Sequence, residues 1–245
     1  MKGGVNVSKR EGKDYLYLIW KDPTTRRNYV VGQLSKNSQF EFTYGFEIKD
    51  AIKKGFELLT SFEDMDKVYK SDTLFPTFSS RLPDHKRRDI GKILSKYDLK
   101  EYNEYKLLKR SGARLPIDNL EFIDPLLPED SNKGRIFDIA GIRHYIGCDG
   151  KECKKAINLN VGDELILVRE PKNDYDKYAI KILDKFDNLI GYIPRYYSKS
   201  LTNYLKAGKE YRCTVFEVNK DMKCNECVKA KLEIVDSLIR LDKIS

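Results

Sequence analysis

Apolar and polar positions alternate through three early runs that favour strands. Tyr15-Leu-Tyr-Leu-Ile-Trp20 is the first, and Asp22-Pro-Thr-Thr-Arg-Arg27 interrupts it with turn-forming residues. Tyr29-Val-Val-Gly-Gln-Leu34 and Gln39-Phe-Glu-Phe-Thr-Tyr44 predict a second and a third strand. The period then lengthens. Apolar residues at helical spacing between Asp50 and Leu59 predict a short helix. A longer helix is predicted over Asp84 to Tyr97, with Pro83 ahead of it and Asp84 placed to cap its first turn. Its stripe is Ile90, Ile93, Leu94 and Tyr97, leaving Lys86, Arg87, Arg88, Lys92 and Lys96 toward water. A further helix over Glu101 to Arg110, a break at Ser111 to Pro116 and a strand at Leu120 to Ile123 complete an α+β first domain, residues 1–123.

Asp124-Pro-Leu-Leu-Pro-Glu-Asp-Ser-Asn-Lys-Gly134 combines two prolines with acidic and small residues, and reads as a linker, 124–134. Residues 135–245 carry a different pattern of short strands, one polar helical stretch from Tyr196 to Ala207, and a closing strand pair. The expected fold class is therefore an α+β domain followed by an all-β barrel with one helix.

The second region opens with Arg135-Ile-Phe-Asp-Ile-Ala-Gly-Ile-Arg-His-Tyr-Ile-Gly147. Asn173-Asp-Tyr-Asp176 then precedes Ala179-Ile-Lys-Ile182, and Ile190-Gly-Tyr-Ile-Pro-Arg195 closes the next hairpin. This order resembles the HIRAN domain, a small β-barrel of DNA-repair and fork-remodelling translocases that grips the ends of single-stranded DNA. The resemblance implies a strand-end pocket from Arg143 and His144, Tyr175 and Asp176, and Tyr192 and Arg195. Arg143 and Arg195 would hold phosphates, and Tyr175 would stack on an unpaired base. Asp176 would accept a hydrogen bond from a terminal 3′-hydroxyl and repel a phosphate there. The chain departs from the family pattern at two positions, with His144 where a tyrosine is frequent and Tyr192 where a histidine is expected. The same residues also suit plain structural duty, since Asn173 to Asp176 is turn-prone and Tyr192 suits a core ring.

In the first region, Tyr29-Val-Val-Gly-Gln-Leu34, Phe40-Glu-Phe-Thr-Tyr44 and Leu74-Phe-Pro-Thr-Phe-Ser-Ser-Arg-Leu-Pro83 resemble the small N-terminal subdomain of HipA-type kinases. In some toxin–antitoxin systems this subdomain is a separate polypeptide that binds and restrains the kinase. A kinase core needs a phosphate-gripping loop, a catalytic Asp and Asn and a metal-binding Asp. Within a dozen residues of Ile123 the barrel motif begins, so this chain has no room for that lobe. The expected role is docking of a protein partner. Aromatic residues here (Trp20, Phe40, Phe42, Tyr44, Phe75, Phe78) suit a core better than a ligand box.

Charge points the same way without deciding it. A formal net charge of +8, from 46 Lys and Arg against 38 Asp and Glu, suits a polyanionic partner and equally suits solvated basic faces. Arg81 to Arg88 is one such cluster, read either as a phosphate contact or as a solvated helix start. The first residues lack the apolar segment of a signal peptide, and no apolar run approaches the roughly 20 residues that cross a bilayer. The expected setting is the cytoplasm, where thiols stay reduced.

Of five cysteines, Cys148 and Cys153 follow the first barrel strand and Cys224 and Cys227 precede the last. If those strands pair antiparallel, both pairs fall at one end of the barrel. Four thiolates at that spacing suit a structural zinc, and equally they are incidental surface thiols. Cys213 suits the core. With two histidines, no Ser-His-Asp arrangement and no Gly-rich phosphate loop, catalysis lacks its parts, and the expected protein is not an enzyme. Three readings stay open: a single-stranded-DNA binder with a docked protein partner, an antitoxin-like regulator of a HipA-type kinase, and an accessory subunit of a nuclease or CRISPR-type nucleoprotein complex. For the zinc expectation, metal analysis of the purified protein should return close to one equivalent. Less than about a tenth of an equivalent would exclude a tight site.

Overall fold

The computed structural model describes residues 14–125, 134–146, 158–219 and 226–235, which fall into two compact units on either side of residue 125. In the first, five strands form one antiparallel sheet: β1 (Asp14–Lys21), β2 (Asn28–Lys36), β3 (Phe40–Tyr44), β4 (Tyr69–Ser71) and β5 (Leu120–Ile123). Their order is β4-β3-β2-β1-β5. Leu16, Leu18 and Trp20 of β1, Tyr29, Val31 and Leu34 of β2, and Phe40 and Phe42 of β3 share one buried core. A bulge between Leu18 and Ile19 keeps the pattern from being a strict alternation.

Four short helices are α1 (Ile48–Ile52), α2 (Pro76–Ser79), α3 (Ile90–Lys96) and α4 (Glu104–Ser111). The centre of the core is aromatic. Phe42, Phe62 and Phe78 pack with ring centroids 4.4 to 5.4 Å apart, and Phe122 meets Phe78 edge-on at 5.0 Å. Trp20, Phe40, Phe42 and Phe78 are buried and Tyr44 and Phe75 pack against them, so the aromatic residues of this region are core.

Three helix expectations shift. The Asp50–Leu59 helix is the single turn α1, and the helix expected from Glu101 starts at Glu104, where Asn103 accepts the Lys106 N–H at 2.9 Å as its cap. The helix expected from Asp84 begins only at Ile90. Asp84 does not cap it. Its carboxylate accepts the Lys86 N–H at 2.8 Å, its carbonyl takes the Arg87 N–H, and Arg87 turns to Asp89 at 2.9 Å. These local bonds hold 84–89 in turns that compete with helix. At the other end, Asp124 is no linker residue. It is buried and pairs at 3.3 Å with Lys109, which also reaches Asp14 at 3.4 Å.

The cluster Arg81 to Arg88 divides likewise. Lys86, Arg87 and Arg88 are exposed, but the Arg81 side chain is buried and binds Asp118 with both guanidinium ends while donating to the Ala113 and Leu120 carbonyls at 3.0 Å. Arg81 is thus a clamp between the approach to α3 and the entry to β5.

The second unit holds β6 (Arg135–Asp138), β7 (Ile166–Arg169), β8 (Ile180–Leu183), β9 (Leu189–Tyr192), α5 (Arg195–Lys206), β10 (Glu210–Val218) and β11 (Val228–Val235). Two three-stranded sheets, β10-β11-β6 and β7-β8-β9, meet at both edges through single bridges, Ala140 with Tyr192 and Glu164 with Thr214. The order thereby runs round a ring, β7-β8-β9-β6-β11-β10. Alternate residues point inward: Phe137 and Ile139, Ile180 and Ile182, Cys213 and Val215, and Val228, Ala230 and Leu232 are all buried. Tyr196, Tyr197, Leu201 and Tyr204 of α5 bury one helix face. Burial pushes the Cys213 thiol up to about 12, so it is a core residue and not a nucleophile. Among the described residues, no helix is long and apolar enough to cross a membrane.

Burial alone would raise the Asp118 carboxyl, but the bonds from Arg81 and the Leu120 N–H hold it below its ordinary value. A depressed carboxyl adds stability above the unfolded pKa of about 3.9, and this is lost as pH falls through the lower folded value. Arg81→Ala should therefore cost about 2–4 kcal/mol at pH 7, less than a fully buried pair because Asp118 is 30 % exposed, and less near pH 2, where the bonds to the Ala113 and Leu120 carbonyls are still lost. Equal losses at both pH values in thermal unfolding would refute this.

Candidate nucleic-acid interface

Strand order decides which loops meet. β7 ends where β8 begins, with Arg169 opposite Ile180, and β8 begins where β9 ends, with Lys181 opposite Tyr192. Tyr192 in turn bridges Ala140, just beyond β6, through paired backbone bonds of 2.9 Å each. The segment after Ala140, the β7–β8 loop and the start of α5 therefore gather at one rim.

The first of these is a 3₁₀ turn, Ile142–His144, following Gly141 at φ 71°. Arg143 sits on this turn and not on a strand end, half-buried, with its Nε donating to His144 Nε2 at 3.2 Å. His144 is exposed, as is Tyr145 beside it. The Tyr145 ring lies 5.9 Å from that of Tyr192. Tyr192 itself is half-buried, and its hydroxyl donates to Glu170 at 3.1 Å. Burial and then the bonds to Tyr145 and Glu170 push the Tyr192 phenol well above its ordinary range, so it keeps its proton.

Glu170 links this side to the next loop. One oxygen takes Lys181 at 2.6 Å, and the other takes Asn173 at 2.7 Å as well as Tyr192. Lys181, then Asn173, then Tyr192 hold its carboxyl below the usual range against the opposing effect of burial. Asn173 organises the β7–β8 loop as an Asx turn, its side-chain oxygen accepting the N–H groups of Tyr175 at 3.0 Å and Asp176 at 3.1 Å.

Tyr175 stands 87 % exposed at the tip, the geometry a stacking platform needs. Asp176 is half-buried. One oxygen accepts the Tyr178 N–H at 2.8 Å and the other the Ser198 hydroxyl at 2.7 Å, tying the loop to α5. Arg195 opens α5, exposed, and donates to the Tyr175 carbonyl at 3.2 Å. All six residues singled out from the sequence thus lie on one rim, joined by a continuous run of contacts. Tyr145, Glu170 and Ser198 escaped the sequence reading, whereas Asn173 forms the turn that its stretch suggests. Only Tyr145, adjacent to His144, carried a local signal, because the partners of Glu170 and Ser198 come from other elements.

Of the four cysteines assigned to zinc, Cys148, Cys153 and Cys224 lie outside the described residues. The premise holds: β6 and β11 pair antiparallel, with Asp138 opposite Lys229. Cys227 is buried just before β11. Among the described residues, no group of three metal-ligating side chains converges.

The seam that builds the rim depends on Gly191. Its φ is 154°, and an added Cβ would lie 2.5 Å from Ile139 Cγ2 and 2.8 Å from the Ala140 carbonyl. No flexible side chain can yield there, since Ala140 O is backbone. Gly191→Ala should destabilise the second unit by on the order of 2–5 kcal/mol, combining backbone strain with overpacking. Denaturant unfolding indistinguishable from the parent would contradict the close approach.

Comparison with known proteins places these observations. Residues 135–233 match the HIRAN domain, and residues 26–116 match the HipA N-terminal domain. No curated protein matches the chain. Among solved structures, a protein from Lactobacillus plantarum aligns at 22% identity over 40% of this chain and 87% of its own, with a TM-score of 0.32. The HIRAN domain of human HLTF aligns at 20% identity over 41% and 72%, with a TM-score of 0.31. The chain thus carries a match to the HipA N-terminal domain followed by a match to the HIRAN domain, in the order that its sequence motifs suggest.

Proposed function

We propose that the HIRAN domain holds single-stranded DNA by a 3′ end at this rim, that the first domain docks a protein partner, and that the chain contributes binding and no turnover. One observation carries the reading: loops from three parts of the sequence bring two arginines, exposed rings and a carboxylate to the same edge of the barrel. Arg143 and Arg195 supply the planar donors suited to phosphate oxygens, and Tyr175 the face on which an unpaired base stacks without regard to sequence. Asp176 discriminates the end. Each of its oxygens already accepts one hydrogen bond and retains a second lone pair, so a 3′-hydroxyl can be accommodated while a 3′-phosphate is repelled.

The match of residues 26–116 to the HipA N-terminal domain supports a second reading, in which that domain restrains a separate HipA-type kinase and the barrel adds a further contact. Recovery of such a kinase with a tagged copy would favour it.

Fluorescent single strands with a free 3′-hydroxyl should bind about tenfold or more tightly than the same strands ending in phosphate. Arg143→Ala should weaken binding and make its salt dependence shallower by roughly 0.7 in log–log slope. Equal affinity for both ends would remove the role of Asp176, and an unchanged slope that of Arg143.

A further inference from the structure

α5 carries a feature that the rim does not use. Its exposed positions are Arg195, Lys199, Asn203 and Lys206. At offsets of four, eight and eleven residues they fall within about 80° of arc, a single strip along some 16 Å of helix axis. From Arg195 to Lys209 the chain has no acidic residue at all, although it holds 38 elsewhere. Arg195 also stands in the first helical turn, where the macrodipole disfavours a cation and which contains no acidic residue of its own.

Three lysines on the strands of this domain are neutralised. Lys181 pairs with Glu170, Lys229 with Glu217 and Lys231 with Glu233, each at 2.6 Å. Lys199 and Lys206 form no ion pair with any described residue. The strip is held rigidly: Ser198 binds Asp176, Thr202 donates to the Tyr178 carbonyl at 3.1 Å, and the tyrosines behind it are buried. Its first residue, Arg195, is itself part of the rim.

We propose that this face of α5 is a second contact strip for the phosphate backbone of the same strand, leading away from the bound end past Lys199 to Lys206. The inference rests on the strand-end reading above. Its ligand class is a single-stranded polynucleotide several nucleotides longer than the rim accommodates. The contacts are to phosphate, so they carry no base preference. The strip adds affinity only once a strand is long enough to reach Lys199.

The test uses 5′-fluorescein oligothymidylates with a free 3′-hydroxyl, a trinucleotide and a dodecanucleotide, against the full chain. Lys199→Ala combined with Lys206→Ala should leave trinucleotide affinity unchanged, weaken the dodecanucleotide several-fold and make its salt slope shallower by roughly 1.4. Arginine at both positions should restore binding. Lys92→Ala with Lys100→Ala, which removes the same charge from exposed positions in the first domain, should have no effect on either strand. An unaltered dodecanucleotide slope, or an equal loss in that charge-matched control, would overturn the strip. The two readings fail separately. Intact preference for a free 3′ end without a strip effect sinks the strip alone. A strip effect without end preference sinks the rim pocket and leaves a plain backbone contact.

Discussion

The ring of strands in the second domain is held shut by two narrow seams, and the bridge between Ala140 and Tyr192 governs the geometry of everything at the rim. A single residue pair with two backbone bonds must join β6 to β9, because β6 itself pairs with β11 on its other side. Such a short seam tolerates little displacement. Gly191 lets the two backbones approach to a separation that a methyl group would prevent. Without that closure the turn bearing Arg143 and His144 would have no fixed relation to the loop bearing Tyr175 and Asp176.

Closure brings backbones together, and half-buried polar groups then fix the loops. Glu170 receives a lysine, an amide and a phenol, so its charge is met on several sides and the rim is stiffened rather than destabilised. Asp176 plays a comparable part between the β7–β8 loop and α5. This bears on the proposed recognition: a side chain already anchored by two internal bonds loses little further freedom when a ligand arrives. The structural and the functional readings of Asp176, alternatives when only the sequence is considered, are compatible in the folded chain.

The two domains reach stability by different routes. The first interlocks phenylalanines under a five-stranded sheet and ties its ends with ion pairs at Arg81–Asp118 and at Lys109 between Asp14 and Asp124. The second relies on aliphatic alternation inside a ring, backed by the buried tyrosines of α5. The cations that look alike in sequence are used differently. Arg81 is spent internally, whereas Lys199 and Lys206 remain exposed without ion-pair partners among the described residues.

Local periodicity determined by itself four of the five strands of the first domain, the helix near Arg195 and the two-domain order, because alternation and helical spacing are set by neighbours within a few residues, whereas the three-residue β4 is too short to show a period. The family resemblance also singled out six positions that the fold brings to one rim. Tertiary structure decided the rest. Nothing near Asp84 announces that its carboxylate will serve a turn in place of a helix, since both uses need the same residue type at the same place. Glu170 and Tyr192 are 22 residues apart, and Arg81 and Asp118 are 37 apart. Such pairs exist only once strand order is set, because hydrogen bonds act over about 3 Å and carry no trace along the chain between their ends.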